Sequence, residues 1–372
     1  MIRKTLNMII LGILVLGLST GCAKSNDITD GETKEVSSGA EEDSESEGKF
    51  ENLDPLDLSN YMQEPSVTDY VPEDCNLSGT KEDGTPWKIA WCCAGLEEES
   101  NTYMTTIMEG LAEKHGFELL VFDAQFDPQK QTGDVNNAIT QKCDAVIVHP
   151  IDTNSQNAVM KKAKDSGLFV VVAQCEVDDP ECYDMYVGPN DTEAGQMAAS
   201  MLLQMMRGGG KLVCVEGNPG STPQINRAKG FMGVIQQYQE FEILEAQGAL
   251  NWSAGEAMSV MESYMSKYPE IDGVFCQWDI GTAACIQAAD GVGRTDDMIF
   301  VSVDGVQAAL DAIGTGGAFK GTAMQDFAVV TEAHTLAALA ALNGDADKME
   351  KECYIPFVCV TEENASNFEV GW

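Results

Sequence analysis

The sequence predicts an α/β protein with buried parallel sheets, and two features carry that prediction. Short, wholly apolar runs recur at 89–93, 119–122, 145–148, 169–173, 212–215, 274–276 and 299–303. Between them lie amphipathic stretches, such as Met104, Ile107, Met108 and Leu111, or Ala257, Met261, Tyr264 and Met265, spaced as one face of a helix. Strands that are apolar on both faces and alternate with helices indicate βαβ units. Residues 88–372 are long enough for two lobes of ordinary domain size.

Taken in order, residues 1–21 read as a lipoprotein signal peptide. Arg3 and Lys4 supply a positive start, residues 8–18 an apolar core too short to span a bilayer comfortably, and Ser19-Thr20-Gly21 the small residues before Cys22. The pattern resembles a bacterial lipobox, which makes Cys22 the lipidated mature N-terminus, although Ser19 stands where leucine is usual. A plain cleaved signal is the competing reading. Residues 22–87 then change composition: after Cys22 there are 18 Asp and Glu against 4 Lys, with few large apolar side chains. Such a stretch buries too little apolar surface to offset its ordering entropy, so an acidic, largely disordered tether is expected. Tyr61 and Tyr70 leave open whether its second half lies against the folded body. The net charge of −38 argues against nucleic acid as a partner.

The most informative stretch joins the run 212–215 through Glu216-Gly217-Asn218-Pro219-Gly220 to a helical pattern at Ala228, Phe231, Met232 and Ile235. A buried strand thus turns into a helix whose first turns carry Arg227. In open α/β sheets ligands bind beyond the carboxyl ends of the strands, and a guanidinium there is a planar fork of donors for an oxygen-rich ligand. An ordinary surface ion pair would use the same residue. Other polar or aromatic side chains fall at comparable places: Gln174 after 169–173, Trp278 and Asp279 after 274–276, Asp304 after 299–303, Gln325 after a short segment 321–324, and Asn101 with Tyr103 where the first loop meets its helix. An aromatic face covers the C–H face of a sugar ring while amides, carboxylates and guanidinium take its hydroxyls. Each residue alone also fits a helix cap or a core position. The run Glu97-Glu98-Glu99 reads as a solvated charge run, and His149, before Pro150, as a loop histidine.

Eleven cysteines follow Cys22, several inside expected strands (Cys92, Cys93, Cys214, Cys276), where a thiol acts as a small hydrophobe. Mostly free thiols are expected; Cys175 with Cys182 and Cys353 with Cys359 are the conceivable bridges. There is no Cys-x-x-Cys or His-x-x-x-His pair, so no structural metal site is expected. Nor is there a nucleophile elbow, P-loop or other cofactor motif, and no cofactor is implied.

These residues resemble the periplasmic-type sugar-binding proteins of ABC importers, the ribose- and galactose-binding group. The resemblance rests on Phe122-Asp123-Ala124-Gln125-Phe126-Asp127-Pro128, Val187-Gly188-Pro189-Asn190-Asp191 with Glu193-Ala194-Gly195, Arg227-Ala228-Lys229-Gly230-Phe231, Val274-Phe275-Cys276-Gln277-Trp278-Asp279 and Val303-Asp304-Gly305. It implies two Rossmann-like lobes with parallel sheets, joined by a hinge of three crossovers near Pro189, Gln325 and Pro356. The lobes would be 88–189 plus 326–355 and 190–325 plus 356–372. It also implies ligand-binding roles for Asn101, Tyr103, Arg227, Trp252 (as a stacking aromatic), Asp304 and Gln325. Gln174-Cys175 replaces the family's usual Asp-Arg pair, Trp278 stands where Asn often precedes Asp279, and Met104 replaces a second aromatic. These departures suggest a ligand with fewer hydroxyls than ribose, or with a second apolar face lying between Trp252 and Trp278.

The expected protein is therefore a non-enzymatic, monomeric solute-binding lipoprotein on the extracytoplasmic face of a membrane, of Gram-positive type, with no nucleic acid partner and working with an ABC permease and ATPase. The alternative is a sensory module presenting a bound sugar, nucleoside or furanone to a membrane receptor or kinase. A DNA-binding repressor is disfavoured by the acidic segment and export signal, and a glycan-cleaving enzyme by the lack of an arguable acid–base pair.

Overall fold

Why the apolar runs become buried strands is visible in their side-chain parity. In β1 (Lys88–Cys93), Ile89, Trp91 and Cys93 face one core layer while Ala90 and Cys92 face another. In β6 (Gly210–Glu216), Leu212 and Cys214 face one layer, Val213 and Val215 the other. Both faces of each sheet are covered, so alternation between polar and apolar is lost.

The structure, a computed structural model, describes residues 50–371; the expected signal peptide, Cys22 and most of the expected tether lie outside the described residues. One sheet contains β1, β2 (Glu118–Asp123), β3 (Ala145–Val148), β4 (Phe169–Ala173), β5 (Met185–Pro189) and β11 (Glu352–Ile355), ordered β11-β5-β4-β3-β1-β2 and parallel throughout. The other contains β6, β7 (Phe241–Gly248), β8 (Gly273–Cys276), β9 (Ile299–Asp304), β10 (Phe319–Met324) and β12 (Val358–Thr361), ordered β12-β10-β9-β8-β6-β7. Only β12 runs antiparallel to its neighbour, β10. Four strands, β5, β7, β11 and β12, were not among the expected runs; β7, at a sheet edge, alternates apolar side chains with Glu242, Glu245 and Gln247, as a half-wet edge strand does.

Helices α1 (Glu99–His115), α2 (Pro128–Thr140), α3 (Asn157–Asp165) and α9 (Phe327–Leu342) cover the first sheet; α4 (Asp191–Met205), α5 (Thr222–Ile235), α6 (Ala254–Lys267), α7 (Asp279–Gly291) and α8 (Gln307–Gly314) belong with the second. The chain crosses between lobes after β5, after β10 and between β11 and β12. Local chemistry starts the helices where the strands end. Asp127 caps α2 by accepting from Gln129 N and Lys130 N with Pro128 in the first turn, and Asp326 caps α9 by accepting from Val329 N at 3.0 Å. Gly195 and Gly230 let α4 and α5 touch: a Cβ on Gly195 would stand 2.1 Å from Arg227 O, and one on Gly230 2.0 Å from Thr192 O.

The tether expected over 22–87 ends sooner than composition suggests. Residues 50–86 lie on the body, because their few large side chains are spaced to reach both lobes. Leu58 is buried against α4 in the second lobe, and Tyr61 donates to Glu193 at 2.7 Å. Val71 and Cys75 join the core of the first lobe, and Asn343 Nδ2 donates to Ser78 O at 2.9 Å. All eleven described cysteines are free and buried; neither Cys175–Cys182 nor Cys353–Cys359 is bridged.

Candidate functional site

The carboxyl ends of both sheets meet at one small cavity of about 50 Å³. Its wall includes Gln174, Arg227, Trp252, Asp304 and Gln325 from the expected set, together with Glu98, His149, Cys175, Asp191 and Phe327. Polar contacts draw the lobes together beside it. Asn226 Nδ2 donates to Glu176 Oε2 at 2.8 Å, Thr222 Oγ1 donates to Glu176 O, and Gln325 Nε2 donates to Gln174 Oε1.

Arg227 is placed by the close α4–α5 packing. Its Nε donates to Asp191 Oδ1 at 2.8 Å and its Nη1 to Gln277 O at 2.6 Å, with Asp304 Oδ1 at 3.5 Å. The guanidinium lies 5.5 Å from the Trp252 ring centre, a cation–π distance. Trp252 is half-buried and seats its indole on Gly217, where a Cβ would come within 1.9 Å of the ring. Three of the wall residues have backbones in the left-handed half of φ: Gln174 at 65°, Trp252 at 53° and Asp304 at 126°. Non-glycine residues are held there only when their surroundings over-determine them, and they gather at binding sites.

What holds Asp304 is Asp279. Its buried carboxylate accepts from Gly305 N at 2.6 Å, Val306 N at 2.9 Å, Thr322 Oγ1 at 2.8 Å and Ser302 Oγ. Asp279 therefore clamps the turn that follows Asp304. Burial pushes its carboxyl up to about 6 although these hydrogen bonds pull it back. Asp304 is raised well above the usual range by burial, which outweighs the attraction of Arg227.

On the facing wall a neutral relay runs from thiol to carboxylate. Cys175 donates to His149 Nε2 at 3.2 Å, His149 Nδ1 donates to Asn101 Oδ1 at 2.8 Å, and Asn101 Nδ2 donates to Glu98 Oε2 at 2.9 Å. Ser100 Oγ donates to Glu98 Oε1 at 2.6 Å. Burial holds His149 neutral, pushing it down to about 4, and raises Cys175 well above the usual thiol range.

Three expected contacts fall elsewhere. Trp278 lies behind the wall, buried in the layer between the second sheet and α6–α7 and packed edge-on against Trp252 at 5.5 Å; the indole pair expected to sandwich a ligand is one indole backing the other. Asn101 is fully buried and acts on the cavity through Glu98 and His149. Tyr103 sits half-buried beside the C-terminal segment, its hydroxyl accepting from the Gly371 backbone. Conversely, Glu98 is no solvated charge: only Glu97 and Glu99 of the run are exposed. Glu98 precedes the first turn of α1, and the donors Ser100 and Asn101 on that turn draw its carboxylate inward. Phe327 supplies the second aromatic surface, from the first residue of α9. The signal for it was its place immediately after the crossover at Gln325.

Two hinged α/β lobes closing on a cavity of mixed aromatic and charged walls define a solute-binding protein. The sequence model described as the periplasmic binding protein domain matches residues 95–346, and the chain belongs to that family. It is similar to the xylitol-binding protein of Mycolicibacterium smegmatis, with 30% identity over 72% of this chain and 76% of that one. It is also similar to the ribose import binding protein of Bacillus subtilis, with 26% identity over 58% of this chain and 69% of that one. Among solved structures, an ABC transporter solute-binding protein from Bacillus halodurans with bound myo-inositol is 27% identical, with a TM-score of 0.71 over 78% of this chain and 98% of that one.

Proposed function

We propose that the protein is the extracytoplasmic solute-binding component of an ABC importer, anchored through lipidated Cys22, and that it captures a sugar or related polyol between its lobes for delivery to a permease. One observation carries the reading: Arg227, fixed by Asp191, meets the strained Asp304 and the indole of Trp252 at the point where the two sheets face each other. Hydrogen bonds to charged groups contribute roughly 1.5–3 kcal/mol each, and an aromatic wall favours the C–H face of a ring. The relatives named for xylitol and ribose, and the structure holding myo-inositol, have in common a small polyhydroxylated ligand.

Cys175, His149 and Asn101 have the connectivity of a nucleophile, a base and its orienting group. Their electrostatics run the other way. A catalytic thiolate–imidazolium pair needs the thiol lowered and the imidazole raised, whereas burial here raises Cys175 and lowers His149. We read the trio as a hydrogen-bond relay in a non-enzymatic binding protein.

Thermal-shift screening against pentoses, hexoses and polyols tests the proposal. A 1:1 ligand should raise the melting temperature and perturb tryptophan fluorescence. Arg227→Ala and Asp304→Ala should each weaken binding by at least tenfold. Binding unaffected by either substitution, or no stabilisation by any member at millimolar concentration, would refute the assignment.

A further inference from the structure

The cavity wall carries more carboxyl groups than cations. Glu98, Asp191 and Asp304 line it against a single guanidinium, that of Arg227. Arg227 is already engaged by Asp191 and the Gln277 carbonyl, with Asp304 at a longer 3.5 Å. Glu98 receives hydrogen bonds from Ser100 and Asn101, both neutral. His149 adds no charge, because one ring nitrogen accepts from Cys175 while the other donates to Asn101. Asp191 Oδ2 is buried without any hydrogen-bond partner, on a side chain only 1% exposed that lines the cavity. If all three carboxylates are ionised, two of their charges have no cation in the wall.

A neutral polyol would leave those charges desolvated beneath it, or force the site to take up protons on binding. Charges taken out of water need a partner or a proton. An ammonium group answers the surplus directly, and its hydrogens are donors for carboxylate oxygens. Glu98 and Asp304 come from opposite lobes, and repulsion by Glu98 adds to the burial that raises Asp304. A cation placed between them would therefore also favour lobe closure.

We infer that the cleft selects an ammonium-bearing polyol, an amino sugar or aminocyclitol, with the ammonium between Glu98 and Asp304 and hydroxyls toward Arg227 and Asp191. This rests on the solute-binding reading above and narrows it to a ligand class. The test is calorimetric titration at pH 7 with matched probes: D-glucosamine against D-glucose and N-acetyl-D-glucosamine, D-galactosamine against D-galactose, and scyllo-inosamine against scyllo-inositol. In the best-bound set the amine should bind at least tenfold more tightly than its neutral counterparts. Glu98→Gln, which keeps the side-chain shape, should reduce the ratio of amine to neutral affinity at least tenfold, whatever it does to the neutral member's own affinity. Asp304→Asn provides a second variant, and unliganded melting curves establish that each folds. A neutral member that binds as tightly as its amine, or a preference that survives both substitutions, overturns the ammonium and leaves polyol capture standing. Failure of every amine and every neutral probe overturns both.

Discussion

Asp279→Ala separates a residue that shapes the site from one that touches the ligand. Alanine would leave the amides of Gly305 and Val306 without their acceptor in a buried turn. Each unsatisfied buried donor costs about 1–3 kcal/mol. The two hydroxyls suffer less, since they rotate and Ser302 already reaches Val303 O at 3.3 Å. Removing a buried carboxylate also removes its own desolvation cost, so the net loss should be about 2–4 kcal/mol. That corresponds to a melting point lowered by roughly 5–15 °C, at 2–4 °C per kcal/mol for bodies of this size. Ligand affinity should fall as well, because the released turn no longer holds Asp304 at a φ of 126°. A pH series sharpens the test. With its carboxyl pushed up to about 6 by burial, against an ordinary 3.8, the native protein binds the proton more strongly than the unfolded chain. Stability from this group therefore falls as pH rises from about 4 to about 6, and that component should vanish in Asp279→Asn. Scanning calorimetry with ligand titration reads both effects. If Asp279→Ala melts like the parent while losing affinity as severely as Asp304→Ala, the clamp argument is wrong and Asp279 meets the ligand directly.

Two further predictions rest on other parts of the structure. His149 titrates in the opposite sense: burial pushes it down to about 4 from 6.5, so the unfolded chain binds its proton first and stability falls as pH drops from about 6.5 to 4. His149→Gln should flatten that loss in pH-dependent denaturation; an unchanged acid limb would show that the imidazole is not held neutral. Leu58→Ala removes a buried side chain from the segment before the first strand, and should destabilise the protein by about 2 kcal/mol or more, the lower end for buried leucine truncation. An unaltered melting curve would mean that this segment does not bind the second lobe.

The sheets were legible because both faces of each are covered, which turns strands into apolar runs that need no tertiary information to recognise. The edge strands were less legible: β7 mixes apolar and acidic residues because one side is wet. Arg227, Gln174 and Asp304, which line the cavity, were picked out by the rule that ligand sites lie beyond strand ends, and that rule is blind to direction. Side-chain parity supplies the direction. Along β8, Val274 and Cys276 face the α6–α7 layer, and Trp278 continues that series into the core, whereas Phe275 faces the other layer. Counting by twos past Val274 would have removed Trp278 from the wall.

Parity fails once the chain leaves the sheet, which is why Asp191 and Phe327 were missed. Each is the first residue of a helix entered directly after a crossover: α4 follows the one at Pro189, and α9 the one at Gln325. A crossover passes between the lobes, so the helix it feeds begins beside the cleft, whichever sheet that helix later covers. The hinge thus does two jobs. It joins the lobes, and it delivers to the cavity wall one anionic side chain that fixes Arg227 and one aromatic ring. The first residues of helices after crossovers are therefore the positions at which a change should alter specificity without loosening either sheet: Phe327→Leu should weaken ligand binding by several-fold while leaving the unliganded melting temperature within about 3 °C, at 2–4 °C per kcal/mol. Phe327 also packs in the core of the first lobe; a larger thermal loss with intact affinity would mean that it serves that core alone, and would break this link between crossover and site.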